Sequence, residues 1–199
     1  MHWKSQHIVT VNATSQRQKG KEMEKENKTV REKKVQRMIN DLIKMAERRG
    51  ATYYGSWIED GRQYVSGSHF CVSLSKPVEL PEKDGSSVKK QIYDYMKNAR
   101  IMNEKETTLP DKLDQMVKIL KKERGRYRSK RIFCFLGDRE AAVNAEYLLM
   151  LSQVTGAKSV YLSEKRPEKS IIYGSGENGA FIVLPVSFTE EDQKNFWME

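Results

Sequence analysis

No stretch of this chain is apolar for long enough to cross a membrane as a helix. A spanning helix needs roughly 20 apolar residues, and no run approaches that. Met1 to Gly20 has no apolar core either, so no signal peptide is expected. Cysteine is scarce. Cys71 and Cys134 each sit inside an apolar, strand-like run, and they read as buried, reduced thiols of a cytoplasmic protein rather than as a disulfide framework. Hydrophobic residues make up 38% of the chain, below the usual share, so at least one segment is expected to lie outside the core. A nucleophile–base pair is also missing. Asp60, Asp111, Asp114 and Asp138 fall at turns and helix starts, where carboxylates serve structure. His69 and Cys71 are two apart and would share a strand face, but with His2 and His7 they lack the spacing of a standard zinc set. The expectation is a non-enzymatic chain without metal or cofactor.

What the chain has in excess is positive charge, +9 over 199 residues. That suits an anionic partner such as nucleic acid, and it equally suits plain solubility. The excess is clustered. Residues 1–50 carry 13 Lys/Arg against 6 Asp/Glu, and residues 121–131 (KKERGRYRSKR) carry seven basic residues against Glu123 alone.

Residues 1–29 read as a short strand, His7 to Val11, followed by a polar linker from Ser15 to Thr29. Val35, Met38, Ile39, Leu42 and Ala46 then recur at helical spacing, with Gly50 as a C-terminal cap. The opposite face carries Lys34, Arg37, Lys44 and Arg48 with Asp41, either an ordinary wet face or a basic stripe. Tyr53 to Ile58, Gln63 to Val65 and Phe70 to Leu74 read as three strands, the first two joined at Asp60-Gly61. Phe70, Val72 and Leu74 alternate with Cys71 and Ser73, the period of a half-buried strand. Val88 to Met96 reads as a helix with Ile92, Tyr93 and Met96 on one side, and Asn98 to Thr107 as loop. Pro110 opens another helix with Leu113, Met116, Val117 and Leu120 on its apolar face, ending at Arg124-Gly125. Arg131 to Leu136 reads as a strand, Gly137 to Glu140 as a turn, and Ala141 to Val143 as a lead-in. Asn144 caps a helix that buries Tyr147, Leu148, Leu151 and Val154 and stops at Gly156. Val160 to Leu162, Ser170 to Tyr173 and Ala180 to Val186 read as three final strands. Strand, helix and three strands thus occur twice, near 7–75 and at 131–186, without sequence identity between the halves. Gly174 to Gly179 matches G-x-G-x-x-G, but a strand follows where a dinucleotide site needs a helix, so it reads as a hairpin.

Asn144, Tyr147 and Leu148, the three strands after them, and the ending Val183-Leu184-Pro185-Val186 resemble the last domain of the bacterial DNA polymerase III β subunit, the sliding clamp. Leu184 stands where that family has Met. Tyr53-Tyr54-Gly55 to Leu74 is similar to the strand group after the first helix of a clamp domain, though Arg62 to His69 stands where that family has a Thr-Asp-Gly-His type turn and lacks the Asp-Gly. The resemblance implies an α+β, DNA-clamp-like domain of two βαβββ halves over residues 30–187, with a helical insertion at about 82–128 and a tail at 188–199. It implies a DNA-replication accessory protein that holds duplex DNA without sequence preference. Lys34, Arg37, Lys44 and Arg48 would make the DNA contact, and Arg124, Arg126, Arg128 and Lys130, with Tyr127 and Arg131, a second one. The second-half helix has no matching stripe, since Ser152 and Gln153 are neutral and Glu146 is acidic. The resemblance also implies a hydrophobic pocket for polymerase or other partner peptides at Ile182, Leu184, Pro185 and Val186, and a homo-oligomer. The alternative is a clamp-fold interaction module of mobile-element type that does not encircle DNA. In the tail, Gln193, Phe196 and Trp197 have the shape of a clamp-binding peptide, although Phe196 and Trp197 suit better a terminal amphipathic helix packed on the sheet.

Overall fold

A computed structural model describes residues 32–48, 50–80, 83, 86–126 and 132–188. The expected strand at His7 to Val11, the polar linker and the tail motif lie outside the described residues. Helix α1 spans 32–48 and buries Ile39, Leu42 and Ala46 completely, the stripe expected from their spacing. Gly50 ends it at φ 73, and the Ala51 amide donates back to Ala46 O at 2.9 Å, which satisfies a carbonyl the helix leaves free.

Three strands follow: β1 (Tyr53–Glu59), β2 (Arg62–Gly67) and β3 (Phe70–Leu74). Asp60 and Gly61 join β1 to β2 with φ of 49 and 70, the two positive values of a tight hairpin turn. Helix α2 (Ser86–Met102), strand β4 (Lys105–Thr108) and helix α3 (Leu113–Arg126) come next. The hairpin β5 (Phe133–Leu136) and β6 (Ala141–Asn144) leads directly into α4 (Ala145–Thr155), and β7 (Ser159–Leu162), β8 (Ile172–Gly176) and β9 (Gly179–Val183) complete the order. Among the described residues the fold is α+β, with four helices and a seven-stranded antiparallel sheet ordered β1-β2-β3-β9-β8-β7-β4. A helix followed by a three-stranded meander occurs twice, and the last strands of the two meanders pair with each other.

Both faces of this sheet are covered. On one side Val65, Phe70, Val72, Leu74, Ile172 and Phe181 share a core with α1, α3 and α4. On the other, Tyr64, Cys71, Tyr173, Ala180 and Ile182 pack against Met96 and Ala99 of α2. This overturns the half-buried reading of β3. All five of its residues are buried, because α2 lies where solvent was expected. Polar tethers hold α2 in place. Tyr93 Oη donates to Asp60 at 3.1 Å, Lys89 pairs with Glu59 at 2.7 Å, and Tyr93 meets the Tyr64 ring edge-on beside the Trp57–Tyr64 stack.

Other boundaries also moved. Residues 98–102 are the last turn of α2, and residues 105–108 form β4, where a loop was expected. Lys105-Glu106-Thr107-Thr108 has no apolar alternation, and it is a strand because it pairs along β7 at the sheet edge. Helix α3 runs through Gly125 to Arg126. Residues 141–144 are not a lead-in but a strand, with Leu136 opposite Ala141 and Phe133 opposite Asn144. Strand β9 stops at Val183. Pro185, which has no amide to donate, bridges to Val143, and the Val186 amide donates to Ala142 O at 2.8 Å.

Asn144 caps α4 as expected, accepting from the Glu146 and Tyr147 amides at 3.0 and 3.2 Å. The β8–β9 hairpin closes the other end. Asn178 N donates to Thr155 O and Asn178 Nδ2 to Val154 O, so the free carbonyls of α4 end on the glycine-rich turn. A Cβ on Gly176 would lie 2.5 Å from the Thr155 carbonyl oxygen. The glycines therefore serve close packing of hairpin on helix, as the hairpin reading requires.

Both thiols are buried, Cys71 completely, and burial pushes Cys134 up to about 12 and Cys71 upward too. An unfolded thiol ionises near ~8.5. The folded state thus keeps its protons where the unfolded chain loses them. This contribution is intact below about pH 8.5 and fades as pH rises toward the folded values, by up to about 1.4 kcal/mol per pH unit for each thiol. Two outcomes are expected: native protein leaves both cysteines unreactive toward a disulfide reagent at pH 8, and urea midpoints fall between pH 9 and 11. A thiol that reacts natively as fast as in urea contradicts this placement.

A candidate docking cleft and a basic helix face

The turn from β2 to β3 is tied to Thr52, ahead of β1. Ser68 N donates to Thr52 O at 2.9 Å, and Thr52 N to Ser68 Oγ at 3.2 Å. Ser68 Oγ lies 3.2 Å from His69 Nδ1. The His69 ring stacks over Tyr147 with centroids 6.3 Å apart, and Phe70 packs on the same tyrosine at 5.5 Å. His69 O accepts from Leu184 N at 3.0 Å, so the residue after β9 is fixed against this turn.

Between that turn and α2 lies a cleft of about 210 Å³. The turn residues, Ile171 and the run Ile182 to Leu184 form one wall; Val88, Gln91, Ile92 and Tyr95 of α2 form the other. Its rim is apolar and open: Leu184 is 38% exposed and Tyr95 40%. The volume is below the ~300–1,000 Å³ usual for a small-molecule site, so it suits one or two large side chains better than a cofactor. Ser68, His69 and Gln91 supply polar groups that can orient a guest, although the Gln91 amide already donates to Tyr95 Oη at 2.8 Å.

Of the four residues expected at a peptide pocket, the structure brings Ile182 and Leu184 into this cleft. Pro185 and Val186 run on to the β5–β6 hairpin. Sequence reasoning missed the α2 wall. Its signal was the i, i+4 pairs Val88–Ile92 and Gln91–Tyr95, one stripe over from the Ile92, Tyr93 and Met96 side. His69 lies in the turn before β3 and not on its face, while Cys71 is buried toward α2, so the two do not share a strand face. Among the described residues no group of three or more His, Cys, Asp or Glu is placed to hold a metal ion.

Lys34, Arg37, Lys44 and Arg48 are all exposed on α1, with Arg37 4.0 Å from Asp41. Helix α4 presents no comparable face. It is buried along most of its length, with Gln153 its one exposed residue. Part of its cover is α3, which buries Leu113 and Val117 and adds an ion pair, Lys121 to Glu146 at 2.8 Å. Lys118 and Lys122 lie exposed on α3. Arg124 and Arg126 belong to its last turn; Tyr127, Arg128, Lys130 and Arg131 lie outside the described residues.

Comparison with protein-family models, curated proteins and solved structures finds no match.

The Glu146 side chain is 6% exposed, and Lys121 reaches it from a partly solvated position, 56% exposed. Lys121→Met is expected to cost roughly 1–3 kcal/mol, because it strips a charged partner from a buried carboxylate. Lys118→Met, which breaks an exposed pair with Asp114, is expected to cost less than about 0.5 kcal/mol. Equal destabilisation of the two variants in urea would contradict the part given to the Lys121–Glu146 pair in holding α3 on α4.

Proposed function

We propose that this chain is a non-enzymatic, sliding-clamp-like accessory protein of DNA replication, a single clamp-type domain that docks partner peptides in the cleft. The observation that carries the reading is the position of Ile182 and Leu184. The clamp resemblance assigns these residues to a peptide pocket, and they line an open apolar cleft beside the last strand. The repeated order of helix and three-stranded meander supports the same reading, with each half ending on a strand that pairs with the other's last. The exposed basic face of α1 supports the DNA contact, which needs only lysine and arginine near phosphates and no base readout.

A second reading, a clamp-fold interaction module that does not encircle DNA, is favoured by one observation. In the clamp arrangement the helices of both halves face the channel, whereas here α3 lies over α4 and Lys121 is engaged with Glu146.

Titrations separate the two. Duplex DNA binding is expected to weaken steeply with salt. Reversing all four charges of the α1 face (Lys34→Glu, Arg37→Glu, Lys44→Glu, Arg48→Glu) is expected to reduce the slope of log affinity against log salt by about 3–4, near 0.9 for each phosphate no longer neutralised. An unchanged slope excludes the α1 face as the DNA-binding surface and leaves the interaction module. Leu184→Asp is expected to weaken binding of a peptide with Gln three residues ahead of two large apolar residues at least tenfold, with DNA binding untouched. Unchanged peptide affinity sinks the docking role of the cleft.

A further inference from the structure

We propose that the cleft is the seat of this chain's own C-terminal segment, with Phe196 and Trp197 entering it and holding it closed to other peptides. This inference rests on the reading of the cleft as a peptide-docking site. Three observations favour this occupant. The first is reach. Phe188 is anchored by its ring against Phe135 at 5.2 Å. Leu184, on the cleft wall, is four residues back and so at most about 14 Å from Phe188 along the chain. Phe196 is eight residues ahead of Phe188, which allows about 27 Å, so the segment can fold back with slack. The second is size and character. The cleft is apolar and holds about 210 Å³, room for one or two large side chains. Phe196, Trp197 and Met198 are the apolar group in an otherwise polar run, Thr189 to Glu199. The third is charge. That run carries Glu190, Glu191, Asp192 and Glu199 against Lys194 alone, whereas α2, outside the residues that line the cleft, carries Lys90, Lys97 and Arg100 against Asp94, with Lys89 paired to Glu59. An acidic segment tethered this closely experiences a millimolar effective concentration at the cleft, enough for a weak contact to exclude a free peptide.

The test uses the full chain and its Phe196→Ala/Trp197→Ala double variant, each titrated with a fluorescein-labelled peptide of residues 189–199. The double variant is expected to bind this probe at least tenfold more tightly than the unaltered chain. Adding Leu184→Asp to the double variant is expected to abolish that binding. Equal affinity for both chains, still abolished by Leu184→Asp, overturns self-occupancy and leaves the cleft as a docking site. A probe that binds neither chain, while an unrelated peptide with Gln ahead of two large apolar residues binds both alike, overturns it in the same way. Should neither peptide bind any chain, the cleft reading itself fails and the inference with it.

Discussion

The pairing of β3 with β9 is the contact on which the rest of the fold depends. Five residue pairs, from Phe70 opposite Val183 to Leu74 opposite Gly179, join strands that lie far apart in sequence into one antiparallel ladder, with Ser73 opposite Ala180 at a separation of 107 positions. Without that seam there are two smaller sheets, one of three strands and one of four, each with an apolar face and a further free edge. With it, the apolar residues of both meanders form one continuous surface for α1, α3 and α4 to cover. The seam leaves no room for a side chain at its end: a Cβ on Gly179 would lie 1.9 Å from Ser73 O. Ser75 and Asn178 continue it beyond the strands, the Ser75 amide and hydroxyl both donating to Asn178 O. Asn178 in turn closes α4, so seam, hairpin and helix end share one residue.

A sheet covered on both faces has little surface left for a partner, and this limits where one can bind. Helix α3 covers α4, while α1 keeps Lys34, Arg37, Lys44 and Arg48 exposed. Helix α2 covers the opposite face but does not seal it. Where α2 passes the β2–β3 turn and the end of β9, the layers separate enough to leave the cleft. The cleft is thus a product of the layer architecture, with walls held by strand pairing on one side and by the Tyr93–Asp60 and Lys89–Glu59 tethers on the other.

Much of this was legible in the sequence, and the misses share a cause. The α1 stripe, the Asp60-Gly61 turn, the Asn144 cap and the Gly156 stop are local signals, fixed by a residue and its near neighbours. Strand β4 carried no such signal, because Lys105-Glu106-Thr107-Thr108 is a strand only by virtue of β7 beside it. The full burial of Ser73 was hidden for the same reason: its small size fits a covered face, but only the placement of α2 shows that it is covered. At the candidate site, Ile182 and Leu184 were named through the clamp resemblance, and both line the cleft. Val88, Gln91, Ile92 and Tyr95 were not, since the wall they form exists only once α2 lies across the sheet. Pro185 and Val186 were grouped with the pocket by the same resemblance, and the turn of the chain toward Ala142 separates them from the cleft.

The central claim is that the cleft receives an apolar peptide. Methyl-resolved NMR of the Phe196→Ala/Trp197→Ala chain, titrated with a short peptide carrying Gln ahead of two large apolar residues, tests it most directly. Saturable shifts are expected, confined to the methyls of Val88, Ile92, Ile182 and Leu184, with Leu113 and Val117, in the core on the other face of the sheet, unmoved. Shifts centred elsewhere on the molecule, or none at saturating peptide, would contradict it.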